Sequence, residues 1–463
     1  MSVLALDIGS SRVKALLAHW DGRLIEVRSA RTPRQTVDPG EQAYPAEAVL
    51  TTIERLVSGL MAAHREDPAD TLVFSCLGTA MVPLDRAEQP LGAALAPADT
   101  RPTRGPWLDE SVDMPADELF GRTGSDPGAA SSLLHFLWWQ REHPGVLERL
   151  HRFRSLRGYA VAEFCGADAE DHSWASRTML VDLETNAWSE AILAAAGLPA
   201  EALPPIEPPT ATYPIGDSVV QRLGLARGAV AVLGGMDNCC AVFGSAGPDG
   251  AGLVNIVGTF EHMARAASLQ PARQVASAAD AIIHTYLLPG QYITMTRVPM
   301  GDLLSRAAAG YPGGLERLLD EASPEPLERT MRLDGDAVDG ALTAGVPRSS
   351  VLQALLEASA AVLKRFADAW ADPGLASSPV TAVGGGAAHD AVLQLKANLL
   401  GRPFVRLASD EAASLGALRL AAMAVRDLPA SEACDLFTNP TIQTYRPRIG
   451  RFATEILQGV ADT

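Results

Sequence analysis

Four apolar runs of this chain each lead into a tight glycine turn, and this recurring pattern constrains the fold more than any other feature of the sequence. The turns are Asp7-Ile8-Gly9-Ser10-Ser11, Gly234-Gly235-Met236-Asp237, Val257-Gly258-Thr259 and Gly384-Gly385-Gly386. A short apolar run bounded by turn residues is typical of a buried strand. Glycine turns let backbone N–H groups approach an anion closely, although a single such turn is more often plain topology.

The chain reads as two α/β halves of similar plan. Its 463 residues are too many for one ordinary core, so two domains are expected. Each half opens with strand, small-residue turn, strand, and the segment GSAGPDGAG at 244–252 is the best boundary, which gives domains at 1–244 and 245–463. Helical periodicity covers 46–65 and 128–150, whereas the proline-rich segment 201–214 predicts a loop.

Composition and charge exclude several classes of function. Hydrophobic residues make up 47% of the chain and charged ones 20%, which is a globular composition. The formal net charge of -17 would repel a polyanion, so no nucleic-acid partner is expected. No apolar run has the roughly 20 residues of a membrane helix, and the first residues form a strand pattern instead of a signal peptide. Five cysteines in a long chain make no disulfide framework, which favours a cytoplasmic location.

The stretch GGMDNCC at 234–240 raises the question of what Asp237 does. A carboxylate at a strand end can act as a general base in a cleft, but aspartate is also a good helix N-cap. No CxxC or Cys/His cluster surrounds Cys239 and Cys240. The two thiols are therefore interpreted as small hydrophobic core residues, in preference to redox or metal ligands.

The glycine turns and carboxylates together are the parts that phosphoryl transfer needs. Those parts are N–H groups that cradle phosphates, a carboxylate that holds Mg²⁺, and a carboxylate that positions a hydroxyl group. The sequence has no Walker A pattern, and it has no GxGxxG within a βαβ unit. A P-loop enzyme and a dinucleotide-binding fold are therefore both disfavoured.

In this order the motifs resemble the FGGY family of carbohydrate kinases over about residues 3–425. The carriers of the resemblance are Asp-x-Gly-Ser-Ser at the start, Gly-Gly-x-Asp-Asn mid-chain, Gly-Thr soon after, DHSWASRTMLVDLETNAWSEAIL at 171–193, and GGGAAHDAVLQLKANLLGRPFVRLASDEAASLGAL at 384–418. The resemblance implies an α/β fold of two ribonuclease H-like (actin-like) domains with an active-site cleft between them. The domain at 1–244 would bind the sugar and the domain at 245–463 the nucleotide.

The resemblance also implies roles for individual positions. Asp237 matches the catalytic base, which accepts the proton of the sugar hydroxyl, and Asp7 matches the carboxylate near Mg²⁺. A turn residue is the alternative for Asp7, since Gly9 follows it. The positions that match ATP-binding residues of the family are Ser10, Ser11, Lys14, Gly258, Thr259, Gly301, Gly385, Gly386 and Asp390.

The sugar side departs furthest from the family pattern. Leu77-Gly78-Thr79 replace the Gln-Met-His of xylulokinase-like members, and Pro97-Ala98-Asp99-Thr100-Arg101 replace Trp-x-Asp-x-Arg. The resemblance implies that Thr79, Asp99 and Asp237 contact the substrate. A pocket without those polar partners and the indole predicts that D-xylulose is a poor substrate.

Three departures leave alternatives open. Arg12 replaces a usual serine, and it either adds charge at the phosphates or points to solvent. Glu261 and His262 follow the Gly258-Thr259 turn where Ser-Gly is usual. They either contact substrate or form a solvated turn.

These inferences lead to an ATP- and Mg²⁺-dependent kinase that phosphorylates a hydroxyl of a small sugar, sugar acid or polyol. The expected partner is that small molecule, with no membrane partner and with a homodimer as the assembly considered. The rivals are another actin-fold ATPase or acid kinase, a non-catalytic sugar sensor, and an iron–sulfur activator that would use Cys239 and Cys240. Retention of both Asp7 and Asp237 argues against the sensor.

Overall fold

A computed structural model of the chain describes residues 1–36, 41–103, 112–125, 131–258, 260–327, 331–370, 372, 375 and 378–448. The chain forms two compact units. Unit 1 contains Met1–Gly244, His284–Gln291 and Ala413–Thr438, and unit 2 contains Ser245–Ile283, Tyr292–Ala412 and the described residues after Thr438. The predicted ranges 1–244 and 245–463 differ from these units, because two segments of the second half belong to unit 1.

The strands, in chain order, are β1 Ser2–Ile8, β2 Arg12–His19, β3 Leu24–Arg31, β4 Ala43–Tyr44, β5 Ala69–Cys76, β6 Met81–Leu84, β7 Ala94–Leu95, β8 Arg152–Ser155, β9 Glu170–Asp171, β10 Val181–Asp182, β11 Ala187–Trp188, β12 Ile206–Glu207, β13 Thr212–Pro214, β14 Val230–Met236, β15 Leu253–Val257, β16 Glu261–Ala267, β17 Ile282–Thr285, β18 Tyr292–Met295, β19 Val380–Val383, β20 Phe404–Leu407 and β21 Thr441–Tyr445.

The α-helices are α1 Ala46–Ala63, α2 Ala116–Thr123, α3 Ser132–Glu142, α4 Pro144–Leu147, α5 Leu156–Cys165, α6 His172–Ser176, α7 Glu190–Ala196, α8 Asp217–Leu223, α9 Asp237–Phe243, α10 Leu269–Ala279, α11 Met300–Ala308, α12 Gly314–Asp320, α13 Gly335–Thr343, α14 Arg348–Ala369, α15 Asp390–Leu400, α16 Ala412–Arg426 and α17 Ala430–Leu436. Short 3₁₀ helices cover Arg101–Thr103, Ala200–Ala202 and Gly385–Ala388. Within the described residues, no helix is long and apolar enough to cross a membrane.

The main sheet of unit 1 has the strand order β13-β14-β5-β1-β2-β3. Strand β1 pairs antiparallel with β2 and parallel with β5, and β5 pairs parallel with β14. Strand β1 is buried along almost its whole length, as expected for a central strand with both faces covered, whereas β3 alternates between exposed and half-buried residues at the edge. Three antiparallel strands followed by parallel ones confirm the predicted opening of the chain.

The sheet of unit 2 repeats this plan in the order β17-β18-β16-β15-β19-β20-β21. Strand β15 pairs antiparallel with β16, β16 pairs antiparallel with β18, and β15 pairs parallel with β19. Strand β20 then adds in parallel to β19. The predicted similarity of the two halves is thus a similarity of strand order, which sequence repeats do not reveal.

One prediction about local structure is wrong. The segment 201–214 contains the short strands β12 and β13, and β13 pairs antiparallel with β14 at the edge of the main sheet. Proline lacks a backbone N–H, so it is tolerated at an edge strand where one side of the ladder needs no donor. Pro214 therefore ends β13 without breaking the sheet.

The second face of the unit 1 sheet is covered by a helix from near the end of the chain. Leu415 and Leu418 of α16 pack against Val3, Leu16 and Val73 of the central strands. Gly416 is essential to this fit, because a Cβ placed on it would overlap the carbonyl oxygen of Cys240 in α9. This contact explains why Ala413–Thr438 belongs to unit 1.

Candidate active site

Two carboxylates lie at one edge of the unit 1 sheet. Strands β1, β5 and β14 are adjacent and parallel, so their carboxyl ends share this edge. Asp7 lies near the end of β1, beside Ser75 of β5, whose hydroxyl donates to Asp7 Oδ1 over 3.0 Å. Asp237 follows β14 directly. Since neighbouring strands lie about 4.8 Å apart, the backbone positions of the two aspartates are on the order of 10 Å apart.

Asp237 is the first residue of helix α9, and the N-cap position belongs to Met236, which makes no side-chain cap. The N-cap alternative for Asp237 is therefore not what the structure has. One carboxylate oxygen accepts the N–H of the next residue, Asn238, at 2.7 Å. The side chain is half-buried at the start of the helix.

Gly234 and Gly235 fix the course of the strand that leads to Asp237. Gly234 has a positive φ of 73°, and a Cβ there would overlap the carbonyl oxygen of Phe74 in β5. A Cβ on Gly235 would overlap the side chain of Leu287. The pairing of β14 with β5 shifts register between Val232 and Gly235, which is an irregularity that glycine accommodates.

The electrostatics of this edge favour a proton on Asp237. Desolvation of the carboxylate and, after it, the negative charge of Asp7 raise the pKa of Asp237 to about 7. The N–H of Asn238 and the charge of Arg177 act in the opposite direction. A carboxylate whose pKa is close to neutral can both accept and release a proton at physiological pH.

The β1–β2 turn next to Asp7 is held by a network of backbone contacts. Gly9 N–H donates to the carbonyl of Arg12 at 3.1 Å, and a Cβ on Gly9 would lie 2.9 Å from the same oxygen. Arg34 Nε donates to the carbonyl of Ser10 at 3.0 Å, and the hydroxyl of Tyr44 donates to it at 3.3 Å. The turn is thus fixed by these contacts, and it depends on glycine at position 9.

The predicted phosphate residues of this turn differ in their positions. Lys14 lies directly opposite Asp7 in the antiparallel register, so both side chains leave the same face of the sheet. Ser10 is half-buried and Ser11 is exposed. Arg12 donates to Ser29 Oγ of β3 at 2.6 Å and 3.1 Å, which fixes it on the exposed side of the hairpin.

Thr79 combines backbone strain with a buried polar group. Its φ is 68°, a value that a β-branched residue rarely adopts, and its side chain is 1% exposed. The hydroxyl of Thr79 has no hydrogen-bond partner among the described residues. Neighbouring Gly78 has no room for a side chain, since a Cβ would lie 2.9 Å from Arg177 and 3.2 Å from Met236. Strain and an unpaired buried hydroxyl at one residue are features of binding sites.

Asp99 is the buried partner of an ion pair with Arg101. Its carboxylate accepts from Arg101 Nη2 at 2.7 Å and from the backbone N–H of Gln42 at 2.9 Å. The guanidinium of Arg101 stacks 4.8 Å from the centroid of the Trp138 ring. The carboxylate of Asp99 is 0% exposed, whereas Arg101 is 21% exposed. Of this pair, only the arginine retains a solvent-accessible face.

Two of the glycine turns meet at the corresponding edge of the unit 2 sheet. Strands β15 and β19 are parallel, so Gly258 after β15 lies beside Gly384–Gly386 after β19. A Cβ on Gly386 would overlap Val257 Cγ1, whereas a Cβ on Gly385 would meet no atom of the described chain within 4 Å. Gly386 is therefore required for packing, and Gly385 faces open space. Thr259 lies outside the described residues.

The remaining predicted nucleotide residues lie elsewhere in unit 2. Gly301 is in the first turn of α11, where its carbonyl accepts from Ser305. Asp390 begins α15 and accepts from Arg406 Nη1 at 3.0 Å and from the hydroxyl of Tyr445 at 2.6 Å. Asp390 nonetheless keeps 64% of its side chain exposed.

Glu261 and His262 do not form a solvated turn. Glu261 is 1% exposed and pairs with the equally buried Lys396, and it also accepts from Asn255 Nδ2 at 3.0 Å and Ser359 Oγ at 2.6 Å. Burial would raise the pKa of Glu261, but the Lys396 cation and the hydrogen bonds outweigh it and lower the pKa. His262 is also buried, with Nδ1 against the carbonyl of Thr296.

The cysteines form no metal centre in the part of the chain that the structure describes. All five are free thiols, and no group of three or more His, Cys, Asp or Glu residues there could hold a metal ion. Cys239 and Cys240 are fully buried, and burial raises the pKa of both thiols. This is the environment of inert core thiols.

Comparison with known protein families shows which family this chain belongs to. The model of the N-terminal domain of the FGGY family of carbohydrate kinases matches residues 2–244. The chain belongs to the FGGY family of carbohydrate kinases. The model of the C-terminal FGGY domain matches residues 328–425. Membership confirms the predicted class, a kinase that is a phosphotransferase with an alcohol group as acceptor.

Proteins similar to this chain include a gluconokinase and two xylulose kinases. The gluconokinase of Bacillus licheniformis is 24% identical over 212 residues, which are 46% of this chain and 41% of that protein. The xylulose kinase of Bacillus subtilis (strain 168) is 23% identical over 446 residues, 91% of this chain and 87% of that protein. The crystal structure of ligand-bound xylulose kinase from Lactobacillus acidophilus has a TM-score of 0.84 at 17% identity, covering 100% of this chain and 97% of that chain. This likeness confirms the predicted actin-like two-domain fold.

Sequence reasoning missed the charged groups beneath the two edges of this FGGY protein. Arg177 acts on Asp237, and Lys396 neutralises Glu261. A signal for Arg177 was available, since it directly follows the Asp-x-Ser-x-Ala-Ser segment at 171–176. No signal exists for Lys396, because a lysine within a helical pattern is normally exposed.

Proposed function

We propose that the chain transfers the γ-phosphate of ATP to a hydroxyl group of a small sugar, sugar acid or polyol, with Asp237 as the base. In this reaction the hydroxyl oxygen forms a bond to the γ-phosphorus, the bridging bond to the β-phosphate breaks, and ADP leaves. Asp237 takes the proton from the attacking hydroxyl. The observation that carries the proposal is the pairing of Asp7 with a half-buried Asp237 of pKa about 7 at one sheet edge of an FGGY kinase.

Asp7 and the β1–β2 turn are proposed to serve the phosphate side. Carboxylate oxygens are the protein ligands that Mg²⁺ prefers, and one or two suffice because the ion keeps several waters. Asp7 is a single half-buried carboxylate next to a glycine turn, so its chemistry fits such an ion. When bound, Mg²⁺ would neutralise negative charge on the phosphate oxygens. Ser10, Ser11 and Lys14 are proposed to contact the phosphates themselves.

Unit 2 is proposed to bind the nucleotide through its own glycine edge. Gly385 has free space where a Cβ would be, so a phosphate can approach the backbone there closely. Gly258 holds the neighbouring turn, because its N–H donates to the carbonyl of Phe260 at 3.2 Å. Thr259, Gly301, Gly386 and Asp390 complete the proposed set, with Asp390 near the ribose or adenine. The exposed carboxylate of Asp390 supports this role, because hydroxyl groups of a ribose need an acceptor.

The sugar is proposed to contact unit 1 at Thr79 and at the pair of Asp99 with Arg101. The Thr79 hydroxyl supports this, because a buried hydroxyl without a partner among the described residues can be satisfied by a ligand. Asp99 is proposed to act through Arg101, since its own oxygens are occupied by Arg101 and Gln42. Asp99→Ala and Thr79→Val should therefore raise the KM for the sugar more than the KM for ATP.

The test is an ADP-release screen over pentuloses, hexuloses, tetruloses, polyols and aldonic acids. We expect one class to support turnover and D-xylulose to have a kcat/KM on the order of 10²-fold below the best substrate. With that substrate, Asp237→Asn should lower kcat by about 10²–10⁴-fold and leave the KM for ATP within a few-fold. Wild-type turnover by Asp237→Asn would refute the base.

The rival functions give different results in the same screen. A sugar sensor would bind a sugar in calorimetry without releasing ADP. An acid kinase would release ADP with a carboxylate acceptor and form an acyl phosphate that hydroxylamine traps. Homodimer formation and cytoplasmic location are predictions that light scattering and cell fractionation would check.

A further inference from the structure

A fully buried ion network lies beneath the active-site edge of unit 1. Arg157 of α5 contacts Glu170 Oε2 and Asp171 Oδ1, each at 2.7 Å, and all three side chains are 0% exposed. The Arg157–Asp171 contact is an ion pair rather than an aligned hydrogen bond. Ser155 completes the network by donating to Glu170 from its backbone N–H at 2.7 Å and its hydroxyl at 2.9 Å.

Asp171 connects this ion network to the short helix α6. It is the N-cap of α6 and accepts the N–H groups of Ser173 at 2.7 Å and Trp174 at 3.3 Å. The hydroxyl of Ser173 also donates to the Asp171 carboxylate. A serine hydroxyl can donate one hydrogen bond and accept others, so the Ser173 oxygen retains an acceptor site with a fixed direction.

The acceptor site of Ser173 binds the backbone N–H of the residue directly before the proposed base. The N–H of Met236 donates to Ser173 Oγ at 2.8 Å, and Met236 is the last residue of β14 and the N-cap of α9. Ser173 thus fixes the peptide from which Asp237 projects. A Cβ placed on Gly235 would lie 3.3 Å from the same hydroxyl, so the glycine lets the strand pass close to Ser173.

We infer that Ser173, oriented by Asp171 and Arg157, is a positioning residue for Asp237. The inference rests on the proposed role of Asp237 as the base. Buried hydrogen bonds of fixed direction hold the backbone before Asp237 in one geometry, and a misplacement of about 1 Å in a reacting group can cost on the order of 10²-fold in rate. Ser173 touches neither substrate nor nucleotide in this proposal, so its loss should lower kcat and spare binding.

The experiment compares Ser173→Ala with Ser176→Ala in the full-length protein. Ser176 is a matched control, because it lies in the same helix, is equally buried, and also accepts a backbone N–H, that of Thr285 at 2.9 Å. We expect Ser173→Ala to lower kcat by roughly 10- to 100-fold with the KM for ATP and for sugar within about 3-fold. Ser176→Ala should keep kcat within about 3-fold of wild type at a similar loss of melting temperature.

A second readout separates positioning from general damage. The acid limb of the kcat/KM profile should move in Ser173→Ala but not in Ser176→Ala, because the surroundings of the Asp237 carboxylate change only in the former. If Ser173→Ala does not fold, Ser173→Cys, which keeps a weak acceptor, should fold and have a kcat below that of wild type with both KM values within about 3-fold; a wild-type kcat would then overturn the inference. Equal kcat values and equal pH profiles for the two alanine variants would overturn the inference.

A double variant distinguishes failure of the inference from failure of the proposed function. If Ser173 acts through Asp237, adding Ser173→Ala to Asp237→Asn should lower kcat by less than about 3-fold further. Full additivity would refute positioning while leaving the base intact. If Asp237→Asn alone keeps wild-type turnover, the base assignment has failed, whatever Ser173 does.

Discussion

Replacing the proposed base should make the protein more stable above neutral pH. Folding takes the Asp237 carboxylate partly out of water and places it near Asp7, so that its pKa rises from 3.8 to about 7. Between these two values the unfolded chain releases the proton and the folded chain keeps it. Stability therefore falls as the pH rises through this window, and above pH 7 the loss is complete. The neutral amide of the Asp237→Asn variant carries no charge to desolvate at any pH.

The structure sets the size of this effect. A rise of about 3 in pKa corresponds to an upper limit of about 4 kcal/mol. Asp237 is only half-buried, so solvent screening reduces this figure, and about 2 kcal/mol is the expected gain. For domains of this size 1 kcal/mol shifts the melting temperature by roughly 2–4 °C, which predicts a relative gain of about 4 °C or more.

The assay is differential scanning calorimetry of wild type and Asp237→Asn from pH 4 to pH 8.5, without nucleotide or Mg²⁺. The variant's melting temperature minus that of wild type should grow between pH 4 and pH 7 and stay flat above. In an Asp7→Asn background the growth should be smaller, because repulsion is gone while desolvation remains. A difference that is constant over the whole pH range would refute the desolvated-carboxylate reasoning.

Three further predictions concern packing and the nucleotide edge. Lys396→Met leaves Glu261 buried without its cation and should cost about 3–5 kcal/mol, so a calorimetric melting temperature within about 2 °C of wild type would contradict the pairing. Gly386→Ala should lower the melting temperature through steric overlap, whereas Gly385→Ala should raise the KM for ATP without doing so; equal effects would remove the distinction. Cys240→Ala should cost roughly 1 kcal/mol or somewhat more and keep kcat within about 3-fold, and lost activity at an unchanged melting temperature would count against a packing role.

The sequence predicts the ends of strands well, because glycine and aspartate after an apolar run favour a turn over a continued strand or helix. The apolar runs before Asp7 and Gly234 became central parallel strands, and their shared edge follows from topology alone. The prolines of 201–214 led to the wrong prediction of a loop, because proline excludes a central strand but not an edge strand such as β13. The membership of α16 in unit 1 could not be predicted, because packing between distant segments leaves no local periodic signal.

Buried charge is the feature that the sequence conceals most completely. Glu261 stands in a polar turn motif, and sequence rules place glutamate and lysine at the surface. Its burial with Lys396 depends on two segments separated by 135 positions in the chain. The same holds for Arg157, whose helical pattern suggests exposure although it is 0% exposed. Such pairs are visible only once the tertiary structure brings the partners together.

The two sheets use one strand plan but handle charge at their edges in opposite ways. Two carboxylates, those of Asp7 and Asp237, lie at the edge of the unit 1 sheet. Arg177 lowers the pKa of Asp237, but it only partly offsets the rise caused by desolvation and by Asp7, so Asp237 can accept a proton at neutral pH. Unit 2 places glycines at its edge and confines Glu261 to a neutralised pair below. Backbone N–H groups accept a polyphosphate directly, whereas a carboxylate needs a cation such as Mg²⁺ between itself and a phosphate. The proposed nucleotide site is therefore the glycine edge of unit 2, and the proposed Mg²⁺ site is Asp7. The proposed division of labour between the units rests on this difference in charge at their edges.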